Sequence, residues 1–341
     1  MVYVEDIIFG KRSNVFDVNP ENTVFVLIAG TSEVSTVPGI TSAGATPELT
    51  RLTPAIDSEI IGEGKCLSSK DPPMTPEGIP TPAIVTKAIL SLTNIRYIIV
   101  NGGFYAKPKT PFIETGLKPS NNPAVKTAIE DLDAAIHAGE HIGRLLDGVF
   151  ENIILAESVP GGTTTAYAVL KAIGINAKTS SSMKEDPFSI KEKIAEMSFR
   201  RKLEKSPLGA VKEYGDNMMA VSLGISSSVK RSKIIFGGGT QMATVMYLDR
   251  LINGMRDRYI STTGWVYYHR TELFSDLGLS DYLAVSAMDF SGMKHPGLRY
   301  YQYGHVREGT GMGAAFLLAR LMNFEAEAIY KSVDDFYEQF I

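Results

Sequence analysis

The stretch "FENIILAESVPGGTTTAYAVLKAIG", residues 150–174, decides how the chain is read. Its apolar run, Ile153 to Ala156, closes on Glu157 and Ser158. Gly161 and Gly162 follow, then three threonines and a helix-forming segment. An apolar run without polar alternation is the mark of a strand buried on both faces, as in a parallel sheet. Glycines at the start of the next helix let a ligand approach its free N–H groups and the positive end of its dipole. A strand, a glycine turn and a helix in this order form the repeating unit of a doubly wound fold, whose ligands sit at the carboxyl ends of the strands.

The same unit recurs. Strands are predicted at 23–32, 95–104, 150–158, 218–224, 232–240 and 281–287, and helices at 82–92, 123–149, 163–174, 189–204 and 240–252. The expected architecture is α/β, with a doubly wound, mostly parallel sheet and helices on both faces. Residues 23–315 form the nucleotide-binding catalytic domain, and 1–22 with 316–341 a small helical subdomain from the chain ends. Residues 33–82 carry eight prolines among Ser, Thr and Gly and break the alternation. Their aliphatic anchors Leu49, Leu52, Ile56, Ile60 and Ile61 suit a structured lid or an interface segment.

Charge excludes several classes. With 34 basic and 38 acidic residues the net charge is −4, which gives no field for wrapping nucleic acid or an anionic membrane. Cys66 is the single cysteine, so no intramolecular disulfide can form and a reducing cytoplasm is the expected location. The sequence "MVYVEDIIFGKRSNVF" at 1–16 lacks the pattern of a signal peptide, and no apolar run has the length of a membrane span.

Three glycine-lined loops are candidate sites. In "GHVREGTGMGAAF", 304–316, Glu308 stands among glycines just ahead of a helical run. This is either an anion site with a carboxylate beside it or a plain helix entry. In "AESVPGGTTTAYAVL", 156–170, the glycines and threonines suit a phosphate, although no Walker Gly-Lys-Ser/Thr follows; a threonine N-cap is the alternative. In "IIFGGGTQMA", 234–243, the glycines are contiguous and do not make a dinucleotide fingerprint. His137 and His141 lie one helical turn apart without a third ligand nearby, and no serine sits in a nucleophile elbow. Two spaced acids among glycines suggest transfer on a monophosphate ester, whereas a diphosphate leaving group would call for Mg²⁺ and acids to hold it. No metal and no cofactor is expected.

In this order the motifs resemble those of the nicotinate-nucleotide:dimethylbenzimidazole phosphoribosyltransferases of cobamide assembly, in their archaeal form. "REGTGMGAAF" (307–316) is similar to the family's G-E-G-S-G-A, and "AESVPGGTTTA" (156–166) to its G-E-M-G-I-G-N-T-T-A, with Thr163 in place of asparagine. "FGGG" (236–239) resembles its L-G-G-F, "YISTTG" (259–264) its D-G-F-I-S-T-A, and "FSGMKHPG" (290–297) its S-A-E-P-G-H. The resemblance runs over roughly 100–320 and implies phosphoribosyl transfer from nicotinate mononucleotide to dimethylbenzimidazole or a related aromatic base. It implies Glu308 as catalytic base and Glu157 as the second acid. Gly161, Gly162, Thr163, Thr164, Lys193, Gly237, Gly238, Ser291, Gly292 and Gly309 would hold substrate or phosphate, and the family's dimers imply a homodimer. The other readings are a phosphoribosyltransferase or nucleosidase acting on another base, and a non-catalytic nucleotide-binding module. Glu308 separates the last from the enzymes, since a sensor needs no acid beside the anomeric carbon.

Overall fold

A computed structural model describes residues 5–44 and 46–341 of the chain. The first four residues of the 1–22 segment, and of the stretch read against a signal peptide, lie outside the described residues, as does Ala45 within 33–82. The strands are β1 (Ile7–Phe9), β2 (Thr23–Ala29), β3 (Arg96–Asn101), β4 (Asn152–Ser158), β5 (Lys233–Gly237), β6 (Arg258–Thr263) and β7 (Leu283–Ser286). They form one sheet in the order β1-β7-β6-β5-β4-β2-β3, parallel throughout except for β1, which runs antiparallel along β7.

Side-chain alternation along the strands builds two cores. Val24, Val26 and Ile28 of β2 face one layer, with Ile153, Leu155, Ile234 and Phe236 beside them. Phe25, Leu27 and Ala29 face the other, with Ile154, Ala156 and Ile235. Period-two alternation with both faces apolar is why these strands read as continuous apolar runs. Helices Leu132–Leu146, Gly162–Ala172, Asn217–Ser228 and Thr240–Asn253 cover the first face. Helices Pro47–Glu63, Pro82–Thr93, Met312–Leu321 and Ala326–Tyr337 cover the second. The doubly wound arrangement follows the sequence.

Four expectations change. Residues 218–224 are helical, within Asn217–Ser228, because Asp216 caps the helix by accepting the Met219 N–H at 3.2 Å. That helix is buried on all sides, so it carries no helical period to read. Its Gly224 lies so close to the Leu132–Leu146 helix that a Cβ there would stand 2.2 Å from the Ile136 carbonyl oxygen. The helix expected over 123–149 occupies only Leu132–Leu146, started by Asp131, whose carboxylate accepts the Ala134 N–H at 2.9 Å. The sixth parallel strand is "RYISTT" of β6, which holds most of the "YISTTG" motif and hides as a strand because four of its six residues bear hydroxyls.

The chain ends do not make a separate subdomain either. β1 extends the main sheet, and Met312–Leu321 and Ala326–Tyr337 belong to the layer on its second face. The proline-rich 33–82 segment is ordered around the helix Pro47–Glu63, which starts at its cap Thr46 and accommodates Pro54 internally. Where the chain passes from β3 back across β2 to β4, the winding reverses. Such a switch opens a crevice at the carboxyl ends of the strands.

Candidate active site

A pocket lies at that end of the sheet, the place where open α/β sheets bind small molecules. Its floor comes from the end of β4 and the turn after it, Glu157 to Thr163, with Gly239 and Gln241 after β5 and residues 306–310 ahead of the Met312–Leu321 helix. The 33–82 segment supplies a wall through Ile40, Thr53, Asp57, Met74 and Ile79 to Pro82. Gly161 and Gly239, the N-caps of two helices, both line the pocket, so two positive dipole ends meet there. Gly161 holds φ at +80°, which a residue with a Cβ adopts only at a cost.

Glu308 is fixed by backbone alone. Its Oε1 accepts N–H groups from Gly309 at 3.1 Å and Gly313 at 3.3 Å, and its Oε2 accepts the Thr263 N–H at 3.1 Å. The helix carrying Gly313 approaches this carboxylate so closely that a Cβ on Gly313 would stand 2.7 Å from Oε2 and 2.6 Å from the Thr262 carbonyl carbon. Val306 and Thr310, on either side of Glu308, both hold φ at +48°, a strained setting for side chains with a Cβ. Strain of this kind persists where surrounding contacts over-determine the chain, and here it aims one carboxylate into the pocket.

The second acid, Glu157, accepts the Val159 N–H at 2.9 Å, and its own carbonyl accepts the Thr310 N–H at 2.9 Å, which ties the two acid-bearing segments together. Burial raises both carboxyls, Glu157 to about 8 and Glu308 to about 7. Backbone N–H groups stabilise the charged form of Glu308 and pull it below its neighbour. Two further buried acids serve the pocket. Asp57 accepts hydroxyls from Thr81 and Ser158, each at 2.7 Å, and burial lifts it to about 6. Asp216 accepts the Thr165 hydroxyl at 2.6 Å and the Gln241 amide at 2.7 Å and is likewise pushed up to about 6.

These four carboxyls give stability a definite pH dependence. Their folded values lie above the ordinary ones of 4.5 for glutamate and 3.8 for aspartate, so the native chain holds protons that the unfolded chain has released. Stability then falls as pH rises wherever the native state binds more protons. The thermal midpoint is expected to climb as pH is lowered from about 7 towards 6, below the range in which Lys191, lowered by burial to about 7, works in the opposite sense, and Glu157→Gln to flatten that slope. Scanning calorimetry in buffers of matched ionic strength checks this; a midpoint that rises with pH across the window would contradict it.

Glu157, Glu308, Gly161, Gly162, Thr163 and Gly309 all line the pocket. Thr164 lies beneath, fully buried, and Gly237 and Gly238 pack against Ala314 and Met242 while Gly239 faces the cavity. Two expectations need correction. Lys193 is exposed, whereas Lys191 is completely buried behind the pocket. The Lys191 ammonium donates to Thr163 Oγ1 at 3.2 Å, Thr179 Oγ1 at 3.0 Å and the Ser180 carbonyl at 2.6 Å. Ser291 and Gly292 are also exposed and line no part of this pocket, because Phe290 and Met293 on either side turn inward to the core. Behind Thr163 and the 180–182 loop, the cations Lys191, Arg270 and Arg307 face one carboxylate, Asp186. Arg307 donates to the carbonyls of Ser181, Met183 and Lys184 at 2.8–3.0 Å, so this end of the pocket carries excess positive charge.

This fold is shared with solved structures. A crystal structure of the nicotinate-nucleotide-dimethylbenzimidazole phosphoribosyltransferase from Thermus thermophilus superposes with a TM-score of 0.63 over 92% of this chain and 84% of that one, at 15% identity. A structure of CobT from the same organism gives the same figures. No protein-family model matches the sequence. Close relatives do: the UPF0284 protein Ta0078 of Thermoplasma acidophilum is 54% identical over 338 residues, 99% of each chain. The UPF0284 protein of Thermococcus gammatolerans is 38% identical over 329 residues, 93% of this chain and 98% of that one. The chain belongs to the UPF0284 family.

Proposed function

We propose that the protein is a phosphoribosyltransferase that moves the phosphoribosyl group of nicotinate mononucleotide to dimethylbenzimidazole or a related aromatic base, giving an α-ribotide and free nicotinate for the lower nucleotide of cobamides. The observation that carries this reading is Glu308: a pocket carboxylate gripped by three backbone N–H groups and raised by burial to about 7, beside two helix N-termini. A general base works best when its pKa lies near the working pH. The fold shared with the Thermus thermophilus enzyme supports the same reading.

The chemistry balances simply. One ring nitrogen of the acceptor base attacks the anomeric carbon while its other nitrogen gives its proton to a Glu308 oxygen. The C–N bond to nicotinate breaks on the opposite face, and its electron pair neutralises the pyridinium nitrogen. Glu308 accepts three backbone N–H groups against one at Glu157, so its carboxylate is the better stabilised of the two; it serves as base and Glu157 as a neutral neighbour. The phosphate belongs at the Gly161–Thr163 end, over the Lys191 and Arg307 cations. Holding both reactants in line supplies much of the rate.

The test is direct. Protein, nicotinate mononucleotide and a panel of benzimidazoles and purines are mixed, and free nicotinate and α-ribotide are followed by chromatography and mass spectrometry. Stoichiometric nicotinate and α-ribotide with at least one base are expected; no turnover with any base would remove the proposal. The same soluble reactants are its partners in a cytoplasmic setting, and no helix among the described residues is long and apolar enough to cross a membrane. A homodimer is part of the proposal and is checked by light scattering.

A further inference from the structure

Gln241 reaches both halves of the pocket with an amide whose orientation is fixed. It is buried at the start of the Thr240–Asn253 helix and lines the cavity. Its amide nitrogen donates to Asp216 Oδ2 at 2.7 Å. That carboxylate also accepts the Thr165 hydroxyl and the Met219 N–H, and in its ionised form it only accepts. The amide therefore cannot turn over without placing its oxygen against a carboxylate. Gln241 Oε1 is thereby directed away from Asp216 and towards the Gly161–Gly162 turn, so near that a Cβ on Gly162 would stand 1.9 Å from it. An oxygen fixed in this way accepts hydrogen bonds and donates none.

Its position identifies what it would accept from. On one side is the Gly161–Thr163 turn with its cations, the end suited to phosphate. On the other, the neighbouring Gly239 brings the backbone beside Glu308: a Cβ there would stand 3.6 Å from Glu308 Cβ. In a nucleotide the group between the phosphate and the anomeric carbon is the sugar, and a ribose offers hydroxyl donors there. A carbonyl oxygen repels phosphate, and only a donor suits it.

Resting on the phosphoribosyl reading above, we infer that Gln241 binds a ribose hydroxyl of the nucleotide and makes the site selective for ribo- over deoxyribonucleotides, with Asp216 as the positioning residue that holds its amide. A hydrogen bond between neutral groups contributes modestly, so selectivity is expected at about three- to tenfold. The readout is the ratio of dissociation constants for nicotinate mononucleotide and its 2′-deoxy and 3′-deoxy analogues, measured by calorimetry without acceptor base. Wild-type protein is expected to favour the ribonucleotide over at least one deoxy analogue, and Gln241→Leu to bring that ratio close to one. In Asp216→Asn the amide loses its fixed partner, and the ratio falls while preference for nucleotide over riboside persists. That persistence shows that each variant is folded, with its phosphate end intact. Equal binding of all three nucleotides by the wild type would overturn the ribose assignment alone, as would a selectivity unchanged in Gln241→Leu. Absence of any binding by nicotinate mononucleotide would overturn the parent reading as well.

Discussion

Glu308→Gln is expected to lower the turnover number for nicotinate release by about 10²- to 10⁴-fold, the usual contribution of a general base. The substitution keeps the size of the side chain and removes its capacity to take the proton of the acceptor base. Three backbone N–H groups now point at the carboxylate, from Thr263, Gly309 and Gly313. A glutamine can satisfy the two that share Oε1 but turns its own NH₂ towards the Thr263 N–H, so the loop relaxes slightly. Binding of nicotinate mononucleotide should change little, because the anion end lies elsewhere in the pocket. In the wild type the rate should rise with pH through about 7, since only ionised Glu308 accepts a proton and burial holds its value there. Steady-state kinetics across pH, paired with calorimetry on the variant, check both parts. Near-normal turnover in Glu308→Gln would remove this residue from the chemistry and the transfer mechanism with it.

The acid was legible in the sequence for a reason that does not extend to the rest of the site. Glu157 falls at the end of β4 and Glu308 in the turn ahead of the Met312–Leu321 helix, where glycines and a lone carboxylate stand out against apolar flanks. Asp57, Asp216 and Gln241 sit within helices or at their caps, where one polar residue reads as ordinary surface. Each becomes part of the site only because its helix is covered on that face, which depends on tertiary packing. The fold divides in the same way. Strands β2 to β5 and β7 announced themselves as apolar runs, because parallel strands are buried on both faces. β6 did not, since its hydroxyls are buried in a polar end of the sheet, with Ser261, Thr262 and Thr263 fully enclosed. The 217–228 helix misled in the opposite direction: apolar on every side, it has no period. The available signal was Asp216 ahead of it, an N-cap residue followed directly by the apolar run.

The buried lysine behind the proposed phosphate end shows how a local period could have corrected a motif. In the helix Phe188–Arg201 the buried positions are Lys191, Ile194, Ala195 and Ser198, a stripe at spacings of three, four and seven. Lys191 falls on that stripe and Lys193 on the opposite face, so the inward ammonium is fixed by helical geometry, whatever the motif alignment favours. The two lysines are therefore expected to differ sharply. Lys191→Met should weaken nicotinate mononucleotide by about tenfold and remove most of the preference for it over nicotinate riboside, since the turn beneath the phosphate loses a buried positive charge and the donor that orients Thr163 Oγ1. Lys193→Met should leave both affinities unchanged. Burial lowers the Lys191 ammonium to about 7, and a bound phosphate dianion restores its charge, so mononucleotide binding should take up a proton near neutral pH. Calorimetry in buffers of different ionisation enthalpy reads that uptake directly. Removing Lys191 also leaves Thr163 and the Ser180 carbonyl without their donor, so retained riboside binding by Lys191→Met serves as the folding control. If mononucleotide and riboside bind the wild type equally, or if Lys193→Met costs as much as Lys191→Met, the phosphate does not lie over Lys191.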